Sequence, residues 1–284
     1  MDDQPEDQRT YWNRRAGEWE RRAGIADAPA DTYGGAAMDA LGLGSGASVL
    51  DVGCGVGATV VELARRVAPD GRVIGVDVSD EMLAACGRTV GSAGVTGVEL
   101  VRSDVVDGAL DDLEGSLDAV FSRFGVMFFP EPQRAFTRLA GLLRPGGSLR
   151  CVVWGPIDAN PWMFVPVLAA AGVFGAGPEL PPPGRPGPFS LADADLAAGL
   201  LAQAGLRDVG VEPVTGLRLI PSAAPRPEIE TLVAMGPLGD AWLAADDTTR
   251  DAVIEAVIAA MEPYRTDGGW MLPGSAQVIG GTAP

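Results

Sequence analysis

The chain has 284 residues, 47% of them hydrophobic, with a formal net charge of −17 and a sequence pI near 4.3. Such acidity opposes nucleic-acid backbones and anionic membrane surfaces, which are bound by clustered Lys and Arg. Histidine and lysine are both absent, which removes Ser-His-Asp and Cys-His nucleophiles, Schiff-base chemistry, a P-loop lysine and histidine metal sites.

Residues 1–7 lack the basic and apolar regions of a signal peptide. The three cysteines, Cys54, Cys86 and Cys151, are too widely spaced for a zinc or redox motif. Both features predict a cytoplasmic protein with buried thiols and no metal. Tyr11–Trp19 predicts an aromatic, amphipathic helix in an N-terminal helical region spanning 1–45.

From 46 to 154 strands alternate with helices. Ser48–Val52 is an apolar strand, followed by a glycine turn at Gly53, Gly55 and Gly57. A helix marked by Val60, Leu63, Ala64 and Val67 stops at Pro69-Asp70-Gly71. Arg72–Val76 is the second strand and ends at Asp77. Ser79 then caps a helix whose first turn holds Asp80 and Glu81. Val98–Val101 is a third strand leading to Asp104, and Leu117–Phe121 a fourth. Pro132 opens a helix with Phe136, Leu139, Leu142 and Leu143 inward, closed by Arg144–Gly147, and Ser148–Trp154 is the fifth strand. The alternation predicts an α/β fold with a parallel sheet and helices on both faces.

Residues 155–190 are proline-rich, including Pro181-Pro182-Pro183-Gly184, and predict a cap or lid insertion. The uncharged stretch 161–178 is barely long enough for a membrane span and is interrupted by Pro166, Gly172, Gly175 and Gly177, so it reads as cap. Region 191–224 returns to regular structure: Ser190 caps a helix Leu191–Ala204, and a strand follows from Arg207 to Ile220. A second cap insertion, 225–266, contains helices near Pro227–Met235 and Thr249–Glu262. The last strand, Trp270–Gly280, lies within 267–284.

In an open α/β sheet, ligands sit beyond the carboxyl ends of the strands. Strand one delivers Asp51 and the glycine turn. Strand two delivers Asp77, placed to accept from ribose hydroxyls. Strand three leads to Ser103-Asp104-Val105, where a carboxylate beside an apolar residue suits an adenine amino group, and strand four opens into Ser122-Arg123-Phe124-Gly125. The spacing is G-x-G-x-G rather than the dinucleotide fingerprint G-x-G-x-x-G. Asp51 beside it would repel a pyrophosphate.

On Val49–Gly57, Val73–Asp77 with Ser79 and Met82, Ser103-Asp104, Asp118–Phe129 and Leu143–Gly147, the sequence resembles the class I S-adenosylmethionine-dependent methyltransferases. The subgroup it is most similar to contains the ubiquinone/menaquinone-type small-molecule enzymes. The resemblance implies a Rossmann-like seven-stranded sheet with a small cap, and S-adenosylmethionine as cofactor with S-adenosylhomocysteine as product. It implies that Gly53, Cys54, Gly55 and Gly57 bed the methionine portion and that Asp51 holds its amino group. Asp77 would take the ribose, Val78 and Met82 flank adenine, and Ser103, Asp104 and Val105 read its edge. Ser122 would line the path to the methyl group, and Tyr11 and Trp19 are lid contacts or core packing.

Methyl transfer from a sulfonium needs alignment more than proton transfer. Where an acceptor needs a base, Asp158, Glu262, Tyr264 or Asp267 could supply it, and Arg123 could anchor an anionic group. Phe124, Met127, Phe128 and Phe129, with Trp154, Asn160, Trp162, Met163 and Phe164 and with Tyr264 and Trp270, predict an aromatic-lined acceptor pocket. The expected function is methylation (O-, C- or N-) of a small apolar molecule, in secondary metabolism, by a monomer or homodimer. The alternatives are a non-methylating enzyme on the same fold, catalysing cyclisation, decarboxylation or rearrangement, or a non-catalytic partner subunit.

Overall fold

The computed structural model describes residues 7–175, 177 and 185–284. Its elements in chain order are α1 (Gln8–Ala40), β1 (Ser48–Val52), α2 (Ala58–Val67), β2 (Arg72–Asp77), α3 (Asp80–Ala93), β3 (Val98–Arg102) and β4 (Leu117–Arg123). There follow α4 (Pro132–Leu142), β5 (Leu143–Trp154), α5 (Pro161–Phe174), α6 (Ala194–Gln203) and β6 (Arg207–Pro221). The chain ends with α7 (Pro225–Ala234), α8 (Gly239–Ala244), α9 (Asp247–Met261), β7 (Arg265–Thr266) and β8 (Gly269–Thr282).

Seven strands form one path in the order β3-β2-β1-β4-β5-β8-β6, and the two-residue β7 pairs β8 off that path. The central strands are buried on both faces; Val49, Leu50, Val73, Ile74, Val120 and Phe121 are all closed to solvent. Continuous apolar runs of this kind are what a sheet covered by helices on both sides requires. The chain winds outward through β2 and β3, then returns to place β4 on the other side of β1. The carboxyl ends of β1 and β4 therefore form the switch point, where an open α/β sheet leaves room for a ligand.

The sheet is not parallel throughout. β8 runs antiparallel between β5 and β6, because the chain returns from β6 through α7, α8 and α9 as one long hairpin. β8 pairs with β5 only from Ala276 to Thr282, whereas its pairing with β6 continues down to Gly269. The outer part of the hairpin projects past the central sheet as an arm. Ile220, Trp270 and Leu272 on that arm build a second core with Val167 and Ala170 of α5, Ile229 and Val233 of α7, Trp242 of α8 and Val253, Val257 and Met261 of α9. The cap thus has its own apolar centre.

Local corrections follow from side-chain chemistry. The helix after the first insertion starts at Ala194 with Asp193 as its N-cap, accepting from the Leu196 amide at 3.0 Å. Ser190 instead donates to the Met127 carbonyl at 2.6 Å. The uncharged run from Pro161 forms α5, which packs Pro166, Val167, Ala170 and Ala171 inward, and among the described residues no helix is long and apolar enough to cross a membrane. The proline cluster Pro181–Gly184, expected in the lid, lies outside the described residues. The cysteines are buried and unbridged.

Candidate functional site

The turn after β1 is shaped by its glycines. Gly53, Gly55 and Gly57 all have positive φ, at 67°, 53° and 94°, a region closed to most side chains. A Cβ on Gly53 would come within 2.9 Å of the Gly125 Cα and one on Gly57 within 2.6 Å of the Cys86 sulfur, whereas one on Gly55 would meet nothing within 4 Å. Two glycines therefore allow close packing beneath the turn, and the middle one faces open space. Asp77 holds this shape, accepting from the Gly55 amide at 3.0 Å through Oδ2 and from the Ser79 amide at 2.9 Å through Oδ1.

Asp51 lies beneath the turn with 0% exposure. Its Oδ2 accepts from the Thr59 hydroxyl at 2.5 Å, and its buried Oδ1 has no partner among the described residues. Burial pushes its pKa up to about 7, while the Thr59 hydroxyl and the Arg123 charge pull downward and the Asp77 charge adds upward pressure. Burial also raises Asp77, against the backbone amides that it binds. A buried carboxylate oxygen without a donor is costly, and it suits a cationic or hydrogen-bond-donating ligand group. At the end of β3 the Asp104 Oδ1 accepts from the Val106 amide at 3.2 Å, and Val105 is buried. Ser103 spends its hydroxyl on the Asp104 carbonyl. Val78 is half-buried, and Met82 is buried in the first turn of α3.

α1 lies along α3 above these strand ends. Asn13 Oδ1 accepts from the Ser79 hydroxyl at 2.7 Å, Arg9 pairs with Asp80 and Arg88 with Glu20. Tyr11 and Trp19 each set a ring edge against Trp12, which meets Phe128 edge-on at 5.0 Å. Asn13 was not expected at this site. Its one sequence signal is a polar residue between Tyr11-Trp12 and Trp19 on an otherwise aromatic stretch.

The end of β4 divides the remaining candidates. Ser122 is fully buried, and its hydroxyl donates to the Val52 carbonyl at 2.8 Å. It ties β4 to β1 instead of lining a path for the ligand. Phe124 stacks on Trp154 with ring centroids 3.8 Å apart, and Trp162 meets Trp154 at 5.3 Å. Met127 is core, its sulfur accepting from the Trp154 amide, and Phe129 packs on Phe136. Met163 and Phe164 are half-buried on α5.

Asn160 is not available to a substrate. It is fully buried, with its amide nitrogen donating to the carbonyls of Gly155, Pro156 and Ser275 and its oxygen accepting from the Ser275 amide and the Trp162 indole. It staples the α5 approach to β8. Trp270 is likewise closed within the cap core. Asp158, Glu262 and Asp267 are exposed, and Tyr264 is half-buried against the cap core.

Known proteins resemble this chain in sequence and fold. Residues 49–147 match a family described as a methyltransferase domain. Nocamycin O-methyltransferase of Saccharothrix syringae is 30% identical over 202 residues, covering 64% of this chain and 71% of that protein. The chain belongs to the class I S-adenosylmethionine-dependent methyltransferases. A demethylmenaquinone methyltransferase of Shouchella clausii is 27% identical over 186 residues, covering 63% of this methyltransferase and 78% of the relative. A candidate methyltransferase of Bacillus halodurans shares the fold with a TM-score of 0.57 at 15% identity, covering 88% of this chain and 98% of that one.

The cofactor of this methyltransferase is S-adenosylmethionine, and two observations show that the residues suit it. The unpartnered Asp51 oxygen matches a cationic amino group. The open side of Gly55 gives a ligand access to the turn without a Cβ in the way.

Proposed function

We propose that this methyltransferase transfers a methyl group to the oxygen of a small, largely apolar acceptor, and that it works by alignment. The observation that carries this reading is the meeting, at one switch point, of the half-satisfied Asp51 with an aromatic wall from β4, β5 and α5. In it, the backbone of Gly53, Cys54, Gly55 and Gly57 beds the methionine portion, Asp51 takes its amino group and Asp77 the ribose. Val78 and Met82 flank the adenine, and Asp104 with the Val105 amide reads its edge. When bound, the cofactor supplies a methyl group already activated on a sulfonium.

What the chain's own residues do is hold two reactants at near-attack distance and keep water out, which can supply much of the acceleration. The exposure of Asp158, Glu262 and Asp267, and the packing of Tyr264 against the cap core, support a mechanism without a dedicated base. The name of the relative nocamycin O-methyltransferase supports oxygen as the atom methylated. The methyl-transfer names of the relatives favour this reading over cyclisation, decarboxylation or a non-catalytic role.

The test combines two measurements. Calorimetric titration with S-adenosylhomocysteine is expected to show one site per chain. Incubation with S-adenosylmethionine and a panel of phenols, alcohols and carboxylic acids is expected to give a product heavier by one methyl, with S-adenosylhomocysteine in equal amount. Absence of homocysteine-cofactor binding would overturn the reading.

A further inference from the structure

Phe124 occupies a backbone conformation that its side chain disfavours. Its φ is +63°, in the left-handed region where a bulky non-glycine residue is strained. Among the described residues the other such non-glycine is Asp208, of a type that tolerates this region and next to an irregularity in β6. Phe124 has neither excuse. Such outliers persist where the surrounding structure holds them, and they cluster at functional sites.

The turn aims the Phe124 ring at Trp154, where the two lie nearly parallel, with 14° between planes. Tyr33 of α1 sets its edge against both rings, at 6.4 and 5.5 Å. Tyr33 is itself keyed into the sheet. Gly216 of β6 and Gly274 of β8 face each other across the ladder, and a Cβ on either would come within 2.7 or 2.5 Å of the tyrosine hydroxyl. Three elements therefore fix one stacked pair, while Phe124 stays half-buried. The next residue, Gly125, packs on Gly53 of the cofactor turn, so the stack borders the mouth where the reactive methyl would be presented.

We propose that the Phe124–Trp154 stack is the platform for the acceptor, and that the acceptor is a planar conjugated molecule with an acidic hydroxyl, a phenol or an enol. This rests on the methyltransferase reading above. A rigid, flat ring pair selects a flat partner, because offset stacking and edge contacts reward coplanar faces. The acidic hydroxyl follows from the placement of the candidate bases: Asp158, Glu262 and Asp267 are exposed, and Tyr264 packs against the cap core. The acceptor gives its proton to water, and the oxyanion lone pair then forms the new bond to the methyl carbon. Bound S-adenosylmethionine would supply that methyl, the electron pair of its carbon–sulfur bond staying on sulfur to leave S-adenosylhomocysteine.

The probes are 2-naphthol and its saturated, non-planar counterpart 2-decalol, titrated calorimetrically into the protein loaded with S-adenosylhomocysteine. The wild type is expected to prefer 2-naphthol by about fivefold or more, and Phe124→Leu, which keeps bulk without a ring, to lose at least about threefold of that preference. Its affinity for S-adenosylhomocysteine and its Tm should stay near wild type. Equal or absent binding of the two probes by the wild type would overturn the platform. So would an unchanged preference in Phe124→Leu, or a joint fall of Tm and cofactor affinity that marks a merely structural residue. Failure of S-adenosylhomocysteine to bind the wild type strikes the underlying reading instead, and takes this inference down with it.

Discussion

Asp51 ties the proton balance of the protein to its ligand. Its pKa in the fold, about 7, lies above its ordinary value of 3.8, so its contribution to the stability of the unliganded protein is complete at low pH and is lost as pH rises through 7. Because the chain has no histidine, few other groups titrate in that window. Unliganded protein should therefore melt at higher temperature at pH 6 than at pH 8, and Asp51→Asn should flatten the difference in a scanning calorimeter. Asp77→Ala is expected to weaken S-adenosylhomocysteine binding by about 1–3 kcal/mol, through lost charge-assisted hydrogen bonds and a looser turn; unchanged affinity in a folded variant would contradict the assignment. These acids were legible in the sequence because each follows a short apolar run that can only be a strand. Ser122 and Asn160 were not. A sequence does not say whether a small polar side chain points into a cleft or back onto neighbouring carbonyls, and here both point back.

At the scale of elements, α1 shows how packing overrides local signals. The sequence marked a helical region over 1–45 with an aromatic start, but Gly24, Pro29, Gly34 and Gly35 argue against one continuous helix through it. Tertiary contacts extend it to Ala40, with Tyr33, Ala37 and Met38 in the core. The glycine at 34 even has a use, since a Cβ there would come within 3.0 Å of the Arg123 side chain. Seating of this helix depends on the notch at Gly216 and Gly274. Gly216→Ala should cost about 1–3 kcal/mol by overpacking, read from denaturant unfolding, and Tyr33→Phe in the same chain should restore part of the loss by removing the hydroxyl that the new methyl meets. If Tyr33→Phe adds to the damage, the notch is not what seats α1. The antiparallel β8 was harder to foresee, because an alternating pattern fixes strand faces but not strand direction when a long cap lies between two strands.

The fold class was readable from the stretch 46–154, since alternating strands and helices leave few topologies. The two-core arrangement was not, because an insertion that builds its own apolar centre looks like any other loop-rich stretch. One strand of that arrangement has a practical cost. β6 is the last strand on its side of the sheet, fifteen residues long, with Leu217 68% and Leu219 44% exposed. A long edge with outward leucines is a template for adding further strands from other molecules. Mutual repulsion between chains of net charge −17 keeps such edges apart at neutral pH. Light scattering should therefore stay low there and climb as the solution is acidified towards pH 4.3, with Leu217→Lys delaying the rise. The acidic composition is then a colloidal safeguard, and solubility, as much as catalysis, sets the conditions under which this enzyme can be stored and concentrated.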